Sequence, residues 1–222
     1  MTSSPVDEPP LRPLRPRFVA LDERCTPVAG VVVFEAKDPG KAVDDAIKTG
    51  GPAPYGAVLW DSATDVARGL FSVELSGRRV LELGCGCGLV GVVCAIRGAR
   101  VLCTDVDVHT LTATQRAATE ANVVVDVALF DMTGAEPLPL IDGQPVTDVV
   151  IADVLYEPGL AASAARRTLE ALALGARVIV GDPERAGRRD FLRLLTEAGH
   201  VVDFNADLGR GVFGTVCVVE PR

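Results

Sequence analysis

The sequence predicts an α/β protein: a doubly wound, mostly parallel sheet with helices on both faces and an antiparallel β-hairpin at its C-terminal end. Three observations carry this. From Trp60 onward, short strands alternate with helical stretches, the chain order of a parallel sheet built from βαβ units. The strands are Val-rich and apolar almost throughout, as expected where helices cover both faces. The last two strand-like runs, 200–205 and 212–219, are joined by Ala206-Asp-Leu-Gly-Arg-Gly211 with no helix between them, so they read as a hairpin.

Each element has a local cause. Residues 1–16 carry five prolines and little apolar pattern, and read as a flexible arm with polyproline II character. Residues 17–56 form an N-terminal segment with one strand, 31–35, and a short helix near 41–48, ending at the breaker run Gly50-Gly-Pro-Ala-Pro54. The main domain then spans 57–222. Ser62-Ala-Thr-Asp65 has the form of a capping box and opens a helix whose apolar face is Ala63, Val66, Ala67, Leu70 and Phe71. Strands are expected at 79–83, 100–104, 123–129, 148–152 and 176–180, with helices at 88–97, 108–121, 160–174 and 187–198. The last helix sets Phe191, Leu194, Leu195 and Ala198 on one face and stops at Gly199.

At 222 residues the chain can close one core that buries about 70% of the unfolded surface. Hydrophobic residues at 48% and charged residues at 23% are a globular mix, which excludes wholesale disorder. No apolar run reaches the roughly 18 residues of a membrane span, and the first residues show no hydrophobic stretch of a secretory signal. Cys25, Cys85, Cys87, Cys94, Cys103 and Cys217 sit mostly in apolar segments and read as reduced thiols of a cytoplasmic protein. With 22 Lys and Arg against 30 Asp and Glu, the net charge is −8. That balance disfavours nucleic acid and favours a cationic or neutral substrate.

In open α/β sheets the ligand lies at the carboxyl ends of the strands, beside the reversal of strand order. Four such ends carry candidates. In Glu82-Leu-Gly-Cys-Gly-Cys-Gly88, the glycines Gly84, Gly86 and Gly88 let the backbone turn and approach a ligand. Gly86, Gly88 and Gly91 also fit the fingerprint of a dinucleotide pyrophosphate loop. Glu82 tilts the balance, because a carboxylate there repels a pyrophosphate and suits a ligand carrying an ammonium and a sulfonium. Asp105 ends its strand where a carboxylate accepts from both ribose hydroxyls, and Asp107 beside it caps the next helix. Asp131 and Met132 stand where an adenine would lie, with Asp131 accepting its exocyclic amine; turn chemistry is the competing use of that Asp. Asp153 and Tyr156 set an acidic acceptor beside an aromatic wall, which suits a target amine. Helix capping by Asp153 and core packing by Tyr156 compete with that use. Cys85 and Cys87 read as small linings, since neither His109 nor His200 completes a metal site with them.

Together the glycine loop, Asp105 and Asp153-Val-Leu-Tyr156 resemble the class I, seven-β-strand S-adenosylmethionine-dependent methyltransferases, over roughly residues 55–220. More narrowly, they are similar to protein-lysine methyltransferases that carry a D/E-x-x-Y motif after the fourth strand and a Trp, here Trp60, upstream of the glycine loop. Val178-Ile-Val-Gly-Asp-Pro-Glu-Arg185 is similar to a segment of the electron-transfer-flavoprotein β-subunit lysine methyltransferases and their bacterial relatives. The resemblance implies a Rossmann-like methyltransferase domain at 57–222 with S-adenosyl-L-methionine as cofactor. It implies Glu82, Gly84, Gly86 and Gly88 on the methionine moiety, Asp105 on the ribose and Asp131 on the adenine edge. Trp60 would wall the entrance, and Asp153 and Tyr156 would be the catalytic residues, Asp153 bordering the cofactor as well. The implied partner is a protein presenting a lysine, with residues 17–56 as its recognition element.

Four other readings share parts of this pattern. A small-molecule N- or O-methyltransferase would keep every cofactor residue. A nucleic-acid amino-methyltransferase would carry two prolines where Val154 and Leu155 stand. A nicotinamide-dependent oxidoreductase fits the glycine loop but lacks a hydride-transfer constellation, and a non-catalytic module could use the same fold.

Overall fold

The computed structural model describes residues 12–50, 53–202, 204 and 215–221. Strands β1 (Leu14–Asp22) and β2 (Ala29–Ala36) pair antiparallel, followed by α1 (Pro39–Thr49), a 3-10 turn at Tyr55–Ala57 and α2 (Asp61–Leu70). Next come β3 (Arg79–Leu83), α3 (Leu89–Ile96), β4 (Arg100–Asp105), α4 (Val108–Glu120) and β5 (Asp126–Leu129). Then follow β6 (Asp148–Ala152), α5 (Pro158–Ala173), β7 (Arg177–Gly181), α6 (Arg188–Glu197) and β8 (Val216–Val219). The strands from β3 onward form one sheet in the order β5-β4-β3-β6-β7-β8. Every neighbouring pair is parallel except β7 and β8.

The apolar strands are sorted by their period of two. Val80, Val101, Cys103, Val150, Ile179 and Val216 face α2, α3 and α4, while Leu81, Leu83, Val149, Ile151, Val178 and Val180 face α5 and α6. Val19, Leu21, Val31, Val33 and Phe34 bring the β1–β2 pair into the first of these cores. Burial of each such side chain is worth roughly 1.5–3 kcal/mol, so the N-terminal strands are tied firmly to the sheet domain. No helix among the described residues is long and apolar enough to cross a membrane.

Three local expectations differ from the structure. The chain is already extended at Leu14, so 14–16 belong to β1 rather than to an arm, and 17–56 holds most of β1 as well as β2 where the sequence predicts one strand; residues 1–11 lie outside the described residues. The expected capping box does not form. Helix α2 opens at Asp61 with Trp60 as N-cap and no side-chain cap, and Ser62 is buried within its first turn. Finally, β8 finds its antiparallel partner in β7. Residues 200–202 and 204 are not in a strand, and 203 and 205–214 lie outside the described residues.

Candidate active site

Strand order reverses between β3 and β6: the chain runs outward from β3 through β4 to β5, then returns to β6 on the other side. The carboxyl ends of β3, β4 and β6 therefore open onto one cleft, with about 990 Å³ of free space including its mouth. Trp60, Glu82, Gly84, Gly86, Asp105, Asp131, Asp153 and Tyr156 all line it, joined by Tyr55, Phe130 and Met132. Gly88 does not. It caps α3 at a φ of 73°, and a Cβ there would lie 2.5 Å from Thr114, so its task is to let α4 approach the turn.

Glu82 is the next-to-last residue of β3, its side chain buried on the α3 side of the sheet. Its Oε2 accepts from the Gly91 N–H at 2.9 Å and from Cys103 Sγ at 3.2 Å. Burial pushes the carboxyl up to about 7, against both hydrogen bonds. Gly91 is in the first turn of α3, so a protein carboxylate already holds an amide that a pyrophosphate would use. A Cβ at Gly91 would stand 2.1 Å from Cys103 Sγ and 2.8 Å from Glu82 Oε2, which is why that position has none.

Asp105 accepts from the Gly86 N–H at 3.0 Å and from the Asp107 N–H at 3.1 Å, bracing the glycine loop. Burial raises its carboxyl above the usual range despite these amides. Asp107 caps α4 through the His109 N–H at 2.9 Å, as expected. Asp131 turns one oxygen onto the Thr133 N–H and hydroxyl, at 2.8 and 2.7 Å, while still lining the cleft. Behind this loop, Arg167 is buried, donating to the carbonyls of Met132 and Gly134 and to Glu170. Its guanidinium also sits 4.9 Å from the centre of the Phe130 ring.

Asp153 follows β6 in the left-handed region, φ 59°, with its carboxylate buried. Both oxygens are engaged: Oδ2 accepts from Ser62 Oγ at 2.9 Å and Oδ1 from Arg185 Nε at 2.7 Å. Tyr156 is half-buried, its ring centre 4.8 Å from that of Tyr55, and burial pushes its phenol up to about 12. Trp60 Nε1 donates to the Tyr55 carbonyl at 2.8 Å. A smaller cavity, about 510 Å³ with its mouth, shares Tyr55, Trp60, Asp153 and Tyr156 with the cleft and adds Glu157 and Arg185. Tyr55, Trp60 and Tyr156 thus form aromatic walls common to both cavities.

Cys85 and Cys87 are buried. A hydrogen bond with Cys103 lowers the Cys85 thiol, but burial and the Glu82 carboxylate outweigh it and keep it above its ordinary value; burial raises Cys87 too. Among the described residues, no three His, Cys, Asp or Glu side chains stand close enough to hold a metal ion. Sequence reasoning missed Ser62 and Arg167 and assigned no role to Arg185 or Tyr55. Arg185 alone had a signal, in the Gly-Asp-Pro-Glu-Arg run.

The lining of the cleft is one-sided. It holds the carboxylates of Glu82, Asp105, Asp107, Asp131 and Asp153, and among the described residues no Lys, Arg or His. That composition rejects a phosphate-bearing dinucleotide and fits a cationic nucleoside. Sheet order, antiparallel last strand and switch-point cleft define the Rossmann-like methyltransferase class. The magnesium protoporphyrin IX methyltransferase of Synechocystis, solved with bound S-adenosylmethionine, has this fold: TM-score 0.53 at 20% identity, over 84% of this chain and 99% of that one.

Residues 46–197 match the lysine methyltransferase family, and the chain belongs to it. It is 32% identical over 145 residues to the electron transfer flavoprotein beta subunit lysine methyltransferase of Danio rerio, covering 63% of this chain and 54% of that protein. It is also 32% identical over 108 residues to the histone-arginine methyltransferase METTL23 of Xenopus laevis, covering 47% and 46% respectively. The chain spans about half the length of these two relatives.

Proposed function

We propose that the protein transfers a methyl group from S-adenosyl-L-methionine to the side-chain amine of a lysine in another protein. The observation that carries this is the junction of the two cavities: an anionic cleft suited to a cationic nucleoside meets an aromatic passage at Asp153 and Tyr156. When bound, the cofactor supplies a methyl group on a positive sulfur, so the leaving group is already activated. The protein's own work is binding, orientation and the exclusion of water.

Glu82 and the turn of Gly84 and Gly86 would face the methionine moiety, Asp105 the ribose, and Asp131 with Phe130 and Met132 the adenine. Trp60, Tyr55 and Tyr156 would form the apolar walls that keep water from the acceptor and turn its lone pair inward. Asp153 would accept a hydrogen bond from the incoming amine while Ser62 and Arg185 hold its orientation. The β1–β2 pair and α1 would supply the surface that recognises the protein carrying the lysine.

The test incubates the protein with methyl-labelled cofactor and a cell extract, with Asp153→Ala alongside. Label in protein that yields methyl-lysine on acid hydrolysis, and is lost in the variant, supports the proposal. Methyl-arginine would move the acceptor to a guanidine, and label confined to small molecules would overturn protein methylation. Asp153→Ala should lower turnover far more than cofactor affinity.

A further inference from the structure

The smaller cavity bears on the form in which the acceptor binds, an inference that rests on the proposed transfer to a lysine amine. Of the six described residues lining it, Arg185 is the single cation. It is fixed from several sides. Its Nε donates to Asp153 Oδ1 at 2.7 Å and its guanidinium carbon lies 5.1 Å from the centre of the Trp60 ring. Its backbone N–H donates to Asp182 Oδ2, the same oxygen that accepts from Arg188 Nε. A lysine entering here meets a carboxylate with both oxygens already engaged and a guanidinium that a second cation must displace or avoid.

We propose that Arg185 is a positioning residue that makes the acceptor amine bind in its neutral form. The charged and titratable groups around this point come from every neighbouring element. Asp61 opens α2, Asp105 ends β4, and Asp153 and Glu157 flank Tyr156 before α5. Asp182 and Glu184 stand between β7 and α6 and are paired with Arg188, and Tyr55 lies opposite Tyr156. Among the described residues carboxylates dominate. Without Arg185 they would hold a lysine as its ammonium, which has no lone pair to attack with. With Arg185 in place, Asp153 is neutralised and a second positive charge beside it is disfavoured. The amine's proton therefore passes to solvent on binding. The nitrogen lone pair then forms the N–C bond as the S–C bond breaks, and the electrons of that bond stay on sulfur.

Proton counting by calorimetry tests this directly. Protein saturated with S-adenosylhomocysteine is titrated at about pH 7.5 with a lysine peptide chosen from a panel for turnover by the wild type, in buffers of different ionisation enthalpy. A free lysine is cationic at that pH, so the wild type should release about one proton per peptide. Arg185→Gln and Arg185→Met should release less than half as much, and Arg185→Lys, which keeps the charge, should stay near the wild type. The rise of kcat with pH should also come about one unit later in the two uncharged variants, with S-adenosylhomocysteine affinity within about threefold of wild type and cooperative melting retained.

Equal proton release in wild type and uncharged variants, with an unmoved kcat profile, overturns the proposal and leaves lysine methylation standing. A lower kcat with neither readout shifted makes Arg185 a brace for Asp153 only and overturns it as well. If the wild type forms no methyl-lysine on any peptide of the panel, the amine reading fails and the proposal with it.

Discussion

Glu82→Gln should stabilise the protein while weakening its cofactor site, and the size of the first effect comes from burial. The carboxyl is 2% exposed, and burial carries it from an ordinary value of 4.5 to about 7. Between those two values the folded protein keeps a proton that the unfolded chain has lost. Stability therefore falls as pH rises, by about 1.36 kcal/mol for each unit. The loss is absent below pH 4.5 and complete above 7, where it reaches about 3 kcal/mol. Glutamine cannot ionise, yet it keeps an oxygen for the Gly91 N–H that Glu82 accepts at 2.9 Å. Melting temperatures of the cofactor-free proteins, measured from pH 4 to 9, should coincide at the acid end and separate by roughly 6–12 °C at pH 8, at 2–4 °C per kcal/mol for a chain of this size. A constant offset across that range would refute the reasoning, because a packing effect has no reason to follow a titration. Binding of S-adenosylmethionine should weaken at least about tenfold in the variant, the usual exchange of stability for function at such a site.

Three further outcomes are expected. Ser62→Ala removes a buried hydrogen bond to the Asp153 carboxylate; it should cost about 2 kcal/mol in urea denaturation and lower kcat with little change in S-adenosylhomocysteine affinity by calorimetry. Arg167→Met leaves the Glu170 carboxylate without its buried partner, although Arg166 still donates to both loop carbonyls. It should cost about 2 kcal/mol and weaken binding of adenosine-containing ligands, measured in the same two assays. Asp148 is buried, which raises its carboxyl, but Arg78 and Arg177 outweigh this and hold it below the usual range. Its contribution is therefore present above the unfolded value near pH 4 and lost as pH falls through the folded one. Asp148→Asn should cost about 3 kcal/mol at pH 7, and the gap in denaturation midpoint should close on acidification below about pH 4.

What could be read in the sequence depended on how local each cause is. β6 and β7 each open on one charged residue and are otherwise apolar, and β3 is apolar apart from Arg79 and Glu82, because both faces of each strand are buried. β1 opens on Arg15, Pro16 and Arg17, which mask its start although Phe18-Val-Ala-Leu21 follows; its two arginines are held by Glu35 on β2, which only the pairing reveals. The capping-box expectation failed for a physical reason. The helix starts at Asp61, so Ser62 lies inside the first turn rather than at the cap, and its hydroxyl donates to the buried Asp153 carboxylate 91 residues away. Asp131 shows the opposite case, where local turn chemistry and a place in the cleft proved compatible.

The same distinction separates the legible half of the site from the hidden half. A carboxylate at the end of a strand is visible in sequence because topology alone sends it to the cleft, and Glu82, Asp105 and Asp153 were found that way. Whether such a carboxylate is free or neutralised is a matter of partners. Asp153 draws them from α2 and from the turn before α6, at sequence separations of 91 and 32. The Gly181-Asp-Pro-Glu-Arg185 run flags the arginine by resemblance but gives it no partner, and only the closed sheet brings its Nε to 2.7 Å from Asp153. A free Asp153 would attract an ammonium and hold it; a neutralised one can accept a hydrogen bond from an amine without keeping its proton. Under the proposed transfer, the chemistry open to the acceptor turns on a contact that neither segment contains alone, so charge-changing substitutions at Arg185 should discriminate more sharply than any at the glycine loop.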